Sequence, residues 1–446
     1  MQSTTNAIHS VKNTERIKAL DTIRGIVLLG ILLMNINGFG LANAYSNPTV
    51  AGGAEGLNLY TWITTNLFFE GTMRGLFSLL FGVGMFILIS RSQDRAAGIA
   101  GPDIYFRRLM WLLFFGLIHG YLLLWSGEIL YDYALMGFLV YSFKSAAPKK
   151  LILIACFLIC VGTLWNYVTY QNNITLTENV ATGQSQKASG QALTEEQQEA
   201  IVTWEKMEKK KSPAFVNEYN EKMRSDYFTV VKHLAPHNME TDTIWFYQWD
   251  VWDILSMMLL GIAFFKLDIL SAKKSYQFYG GMVAAGYIAG LAINYYELQI
   301  ILRDNFSFLA FSKADVTYYL GRLAISIGHI GAIMILVKAP VLMWLKRRLA
   351  AVGQMALTNY IMHSIICMIV FTGVGFGLFG KLQRYELLYV VFSIWIFQLI
   401  ISPIWLKYFE FGPLEWLWRR LSYLQKPVFK KKSIPAESPE VIVAIT

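Results

Sequence analysis

Apolar residues in this chain come in long blocks separated by short polar joints. Blocks at about 23–42, 75–90, 109–125, 129–143, 151–170, 246–265, 276–301, 316–337, 351–378 and 385–405 predict ten membrane-spanning helices. About 20 apolar residues cross a bilayer core, and helices satisfy their own backbone there. The predicted fold is all-α, a polytopic transmembrane bundle. LNLYTWITTNLFFEGTMRG (57–75) is amphipathic and aromatic, and predicts an interfacial helix leading into the second span. Gly82 and Gly84 permit close helix approach.

One stretch breaks the pattern. Residues 171–245 are polar, with amphipathic helices expected on either side of Pro213. They read as an extracytosolic insertion between spans five and six that caps the bundle or contacts the bilayer surface. The Lys206–Lys211 cluster reads as a solvated face. Four regions follow: an N-terminal transmembrane half (1–170), the insertion (171–245), a C-terminal half ending in an interfacial helix (246–425) and a tail (426–446).

Charge orients the bundle. The proposed inner segments hold 25 Lys and Arg, against 6 elsewhere outside the insertion, so both termini are expected in the cytosol of a bacterial inner-membrane protein. Lys12, Arg16 and Lys18 before an apolar run, with Ala42-Asn43-Ala44 behind it, resemble a signal peptide. The long polar leader and Asn35 within the run favour an uncleaved first span.

Of 446 residues, 55% are hydrophobic and 15% charged, well below the roughly 25% charge of soluble domains. The net charge of +9 sits in clusters between apolar runs, which excludes a nucleic-acid-binding stripe. Cys156, Cys160 and Cys367 all lie in apolar segments and read as small packing residues, with no metal site implied.

Polar residues inside spans are the candidate chemistry, because each is costly in lipid. Asp21 and Arg24 share a helix face and can pair. Asn35 is either helix-to-helix glue or a functional amide. His119 lies just before Glu128 and Asp132 across a tight turn. A carboxylate on one imidazole nitrogen raises the basicity of the other. His119 therefore reads as a general base, a proton relay or a structural tie. Arg322 could hold an anionic acceptor or pair with a carboxylate. His329 sits further along the same span, and Asn359 and His363 share a face at i, i+4. Glu70–Arg74 and Glu415–Arg419 are expected i, i+4 pairs, the latter in an interfacial helix or a cytosolic gate.

LDTIRGIVLLGILLMNI, LFSLLFGVGMF, GLIHGYLLLWSGEILYDYALMG and GQMALTNYIMHS with FGPLEWLWR occur in this order. Together they resemble the YeiB-like family of bacterial membrane proteins. That family is distantly similar to transmembrane acyltransferases of the heparan-α-glucosaminide N-acetyltransferase type. The resemblance implies acyl transfer from cytosolic acyl-CoA to an extracytosolic hydroxyl or amine, such as a sugar. It also implies an active-site amide at Asn35. The heparan enzymes use a His in the following outer loop, whereas residues 43–58 here contain none. His119, with His363 as second choice, would supply the base.

The expected function is thus an integral-membrane acyltransferase. His119, oriented by Glu128 or Asp132, would deprotonate the acceptor while Asn35 steadies the oxyanion. Arg24, Arg107 and Arg108 would attract acyl-CoA phosphates at the cytosolic face. Arg322, Asn359 and His363 would contact substrate. A proton-coupled small-solute transporter and a non-catalytic scaffold are the alternatives, and a homodimer is left open.

Overall fold

Helices follow one another along the whole described chain. The computed structural model describes residues 18–43, 47–94, 100–425 and 427–431. The expected polar leader 1–17 with Lys12 and Arg16, the cleavage-like Ala44, Arg95 and the tail beyond 431 lie outside the described residues.

Helices α1 (Lys18–Gly40), α2 (Gly56–Phe68), α3 (Thr72–Asp94), α4 (Ala100–Tyr121) and α5 (Leu130–Val140) lead to the long α6 (Pro148–Ala188). The insertion forms α7 (Glu195–Lys211), α8 (Pro213–Met223) and α9 (Tyr227–Glu240). A π-helical stretch, Thr241–Asp250, then runs directly into α10 (Val251–Lys266). The rest comprises α11 (Tyr276–Arg303), α12 (Phe308–Ala314), α13 (Tyr318–Lys338), α14 (Met343–Gln354), α15 (Ala356–Phe371), α16 (Leu387–Tyr408) and α17 (Pro413–Tyr423).

Among the described residues six helices, counting α2–α3, α9–α10 and α12–α13 each as one, are long and apolar enough to cross a membrane. The pair α14–α15, bent by 82° at Met355, would make seven. The chain is therefore an all-helical, multi-pass membrane protein. Segments α4, α5 and α11 fall short of that test. The eleven residues of α5 rise only about 17 Å, against a core of about 30 Å.

Several local expectations change. The polar joint expected between the blocks at 316–337 and 351–378, an inner loop by its Lys338, Lys346, Arg347 and Arg348, instead contains helix α14, and Lys346 is buried. Its ammonium turns back to the carbonyls of Val337 and Ala339 at the end of α13. Lys266 likewise bonds the Ala146 carbonyl (2.6 Å) and Lys338 the Lys274 carbonyl (2.7 Å). Lys346 thus satisfies carbonyls that the end of α13 leaves open, and the other two lysines satisfy carbonyls of the segments that lead into α6 and α11. These lysines mark one end of the bundle, the basic end. At the other, α6 continues past its contacts with Asp315 and Ser312 to carry the insertion. The break at Pro213 is as expected, with Ser212 capping α8. The insertion docks on the α4–α5 turn through Asn238 to the Gly120 carbonyl (2.8 Å) and Tyr227 to the Leu122 carbonyl (2.9 Å). Cys156 and Cys160 are free and exposed on α6, and so pack nothing, whereas Cys367 is buried.

Helices meet at backbone distance. A Cβ on Gly25 would collide with the Leu349 carbonyl of α14, and one on Gly353 with the Asp21 carbonyl of α1. Gly82 of α3 faces the Met258 backbone in the same way, and Gly261 of α10 faces Leu79. Gly84 has open space beside it. Gly353→Val should destabilise the detergent-solubilised protein by at least about 1–3 kcal/mol, read as a lower melting temperature. Gly84→Ala should leave that temperature unchanged. Equal effects from the two would contradict this packing.

Candidate functional site

Two polar centres lie within the bundle. The first forms because the α4–α5 turn is tight. Leu124 takes a left-handed conformation (φ +61°). Gly116 also allows α5 to lie against α4, since a Cβ there would sit 2.6 Å from the Tyr131 nitrogen. The turn folds Glu128 back over His119, and both are buried. Glu128 receives His119 Nδ1 on one oxygen and the Leu130 N–H on the other. With the carboxylate accepting, Nδ1 carries the proton and Nε2 is an acceptor. Ser364 Oγ of α15, also buried, donates to Nε2 at 2.6 Å. The Tyr360 ring meets the imidazole edge-on at 5.0 Å. Hydroxyl, imidazole and carboxylate thus form one hydrogen-bonded chain, the order found in serine acyl-transfer triads. A cavity of about 20 Å³, room for about one water, lies beside Cys367, one turn beyond Ser364.

Asp132 is buried within electrostatic reach of Glu128, Asp242, Asp250 and Arg74. It makes no direct contact with His119 among those described. Arg74 does not pair with Glu70. Its guanidinium bridges Asp250, the last residue of the π-helical stretch, and Asp253 (3.0 Å) of α10, because helix packing brings those carboxylates nearer than the side chain one turn away.

The second centre is a cavity of about 100 Å³ near the insertion end. Met34 and Asn37 of α1, residues of α2, α11 and α13, Glu70 and Arg384 line it. Arg322 is buried and binds Glu297 and, at 3.2 Å, Asn294 Oδ1. Arg384 donates to Asn37 Oδ1 and to the Ala51 carbonyl, both at 3.0 Å. Of the two expectations for Arg322, the carboxylate pair is the one formed.

Other expected site residues sit apart. Asn35 is half-buried and lines neither cavity. Two residues on, Asn37 faces the other way, as a 100° helical step requires. His363 bonds Gln398 (3.0 Å), and Asn359 bonds Ser402 (3.1 Å) and the Val352 carbonyl (3.0 Å). Both tie α15 to its neighbours. His329 joins Tyr287 to the Phe68 carbonyl, each at 2.8 Å. Arg24 pairs with Asp21 (2.9 Å). Arg107 holds Asp103 and the Ser422 carbonyl, and Arg108 lies 3.8 Å over the Trp418 ring. These contacts pin α17 against α4. In α17, Glu415 does not pair with Arg419. It accepts from the Thr358 N–H (3.0 Å) and hydroxyl (2.6 Å). Burial raises its carboxyl above the usual range, and the Thr358 bonds oppose that. Among the described residues no three His, Cys, Asp or Glu side chains converge as metal ligands.

Sequence reasoning missed Ser364, Glu297, Asn294 and Arg384. Ser364 adjoins His363, and a helical step between them turns it toward α4 rather than α16. Nothing local marks it. Arg322→Leu strands the Glu297 carboxylate and should cost about 3–5 kcal/mol. The double change with Glu297→Leu should recover much of that in denaturant melts. A double variant as unstable as the single would contradict the pair.

Residues 264–425 match the model for a protein of unknown function (DUF418), which spans most of both cavities' C-terminal walls but not His119 or Glu128. The uncharacterised protein YxaH of Bacillus subtilis (strain 168) is 28% identical over 96% of this chain and 100% of its own length. The uncharacterised protein YeiB of Escherichia coli (strain K12) is 29% identical over 92% of this chain and 96% of its own. No solved structure matches. The DUF418 match and these near-full-length similarities support a likeness to the YeiB-like family.

Proposed function

We propose that the protein is an integral-membrane acyltransferase that moves an acyl group from acyl-CoA to an extracytosolic hydroxyl or amine, of a sugar or a similar acceptor. The Ser364–His119–Glu128 chain carries this reading. In it, Ser364 Oγ attacks the thioester carbonyl while His119 Nε2 takes its proton. The proton passes to the departing CoA thiolate, leaving acyl-Ser364. The acceptor then attacks that ester, with His119 as base and then as acid, and Ser364 is restored. Glu128 holds the tautomer and steadies the imidazolium. His119 keeps its expected role as base but works through Ser364, which occupies its Nε2.

Membrane placement follows from the same reading. In it the basic end is cytosolic and the insertion extracytosolic. Ten crossings result once α4, α5 with its following turn, and α11 are counted, and both termini lie inside a bacterial inner membrane. Acyl-CoA would approach the basic end, where Arg24, Arg107 and Arg108 would exchange their present partners for its phosphates. A second reading, proton-coupled solute transport, is favoured by one observation: Asp132 in reach of Glu128, Asp242 and Asp250.

Purified full-length protein given acetyl-CoA should release CoA thiol. Ser364→Ala and His119→Gln should each slow release by about 10³-fold or more, with melting temperatures near wild type. Release by folded Ser364→Ala at the wild-type rate would overturn the mechanism. Proton-gradient-driven solute uptake without any thiol release would favour transport instead.

A further inference from the structure

The larger cavity is built for a ligand that the acyl-transfer chain does not explain, since neither Ser364 nor His119 lines it. At about 100 Å³ it is smaller than the roughly 150 Å³ apolar cavity that accepts benzene. It would hold a few waters or one small molecule. Its walls are only partly apolar. Glu70, Glu297 and Asp315 supply three carboxylates, and Arg322 and Arg384 two guanidiniums.

The charges are unevenly used. Glu297 is taken by Arg322 and by the Thr317 hydroxyl (2.7 Å). Among the described residues Glu70 receives only a long contact from the Tyr318 hydroxyl, 3.5 Å. Among the described residues no side chain or backbone N–H donates to the Asp315 carboxylate, and Asp315 is exposed, so it marks an entrance. Two anionic groups are therefore available on one side. Arg322 is 8% exposed, and its Nε is buried with no partner. A buried donor left unmade costs free energy that a ligand acceptor can recover. The site thus has a place for a cation and a place for an acceptor.

Local backbone supports this geometry. Glu70 lies at the break between α2 and α3, where Gly71 takes φ +69° and lies against Tyr318 and Arg322. A side chain at Gly71 would strike both. The glycine brings the Glu70 carboxylate and the Arg322 guanidinium to the same small volume. Trp62, Leu298 and Phe311 add apolar wall for a short side chain. An organic cation that carries its own acceptor group would use both places at once.

We propose that this cavity binds a small zwitterion bearing a primary ammonium and a carboxylate, of the size of a short-chain α-amino acid. The ammonium sits against Glu70 and Asp315, and the carboxylate accepts from Arg322 Nε. The site is independent of the acyl-transfer reading and survives its failure.

The test uses full-length protein in detergent, titrated with L-alanine, ethylamine, propionate and glucose by calorimetry. L-Alanine should bind saturably, and at least about tenfold more tightly than ethylamine or propionate, each of which makes only one of the two charge-assisted contacts. Glu70→Gln should weaken L-alanine binding by about tenfold or more. Ala314→Leu, which narrows the cavity without altering a charge, should do the same. Ligand-free melting temperatures of both variants establish that they fold. No saturable binding of L-alanine by folded wild-type protein would overturn the proposal. So would ethylamine or glucose binding as tightly as L-alanine, or L-alanine affinity unchanged in both folded variants.

Discussion

A polar group inside an apolar helical bundle has no water to turn to, so it must be satisfied by protein. That constraint shapes this molecule more than any other. His119 does not stand alone but is held at both nitrogens by Glu128 and Ser364. Arg322 is matched by Glu297, and Arg74 by Asp250 and Asp253. Asn359 and His363 find Ser402 and Gln398. Even Lys346 turns back to helix-end carbonyls. Such short links need helices at close range. The glycine contacts Gly25–Leu349, Gly353–Asp21 and Gly261–Leu79 supply that approach. Packing and polar pairing are thus parts of one solution.

Much of this architecture is legible in the chain itself, because apolar period and length report directly on helices in lipid. The break at Pro213, the inward His119 and its link to Glu128 could be read because their causes are local. Ser364 could not be read, because its partner lies 245 residues away in sequence. Arg74 illustrates the same limit. Its i−4 carboxylate Glu70 is visible in the sequence, whereas Asp250 comes near only through the α3–α10 packing. Basic residues misled at α14, where Arg347 and Arg348 suggested a loop although Gly353 and Leu349 pack against α1. On α1 the amide that reaches a cavity is Asn37 rather than Asn35, a distinction set by helix rotation against neighbours that the chain alone does not specify.

The two polar centres share a helix without sharing a site. α1 gives Met34 and Asn37 to the larger cavity. Two residues past Asn37, Phe39 stacks at 3.8 Å on Trp125, in the turn that carries Glu128. The insertion roofs that turn through Asn238 and Tyr227. At the opposite end, α17 is pinned by Arg107, Arg108 and Glu415. A chemical step at Ser364 would therefore proceed in a volume closed by the insertion on one side and by α17 on the other. Such closure keeps water from an acyl intermediate and strengthens the electrostatics around it.

The most direct measurement is mass spectrometry of the protein after brief exposure to acetyl-CoA without an acceptor. One acetyl group is expected on the peptide containing Ser364, lost when an acceptor is supplied and absent in His119→Gln. An active protein that turns over acetyl-CoA with Ser364 never modified would contradict this expectation.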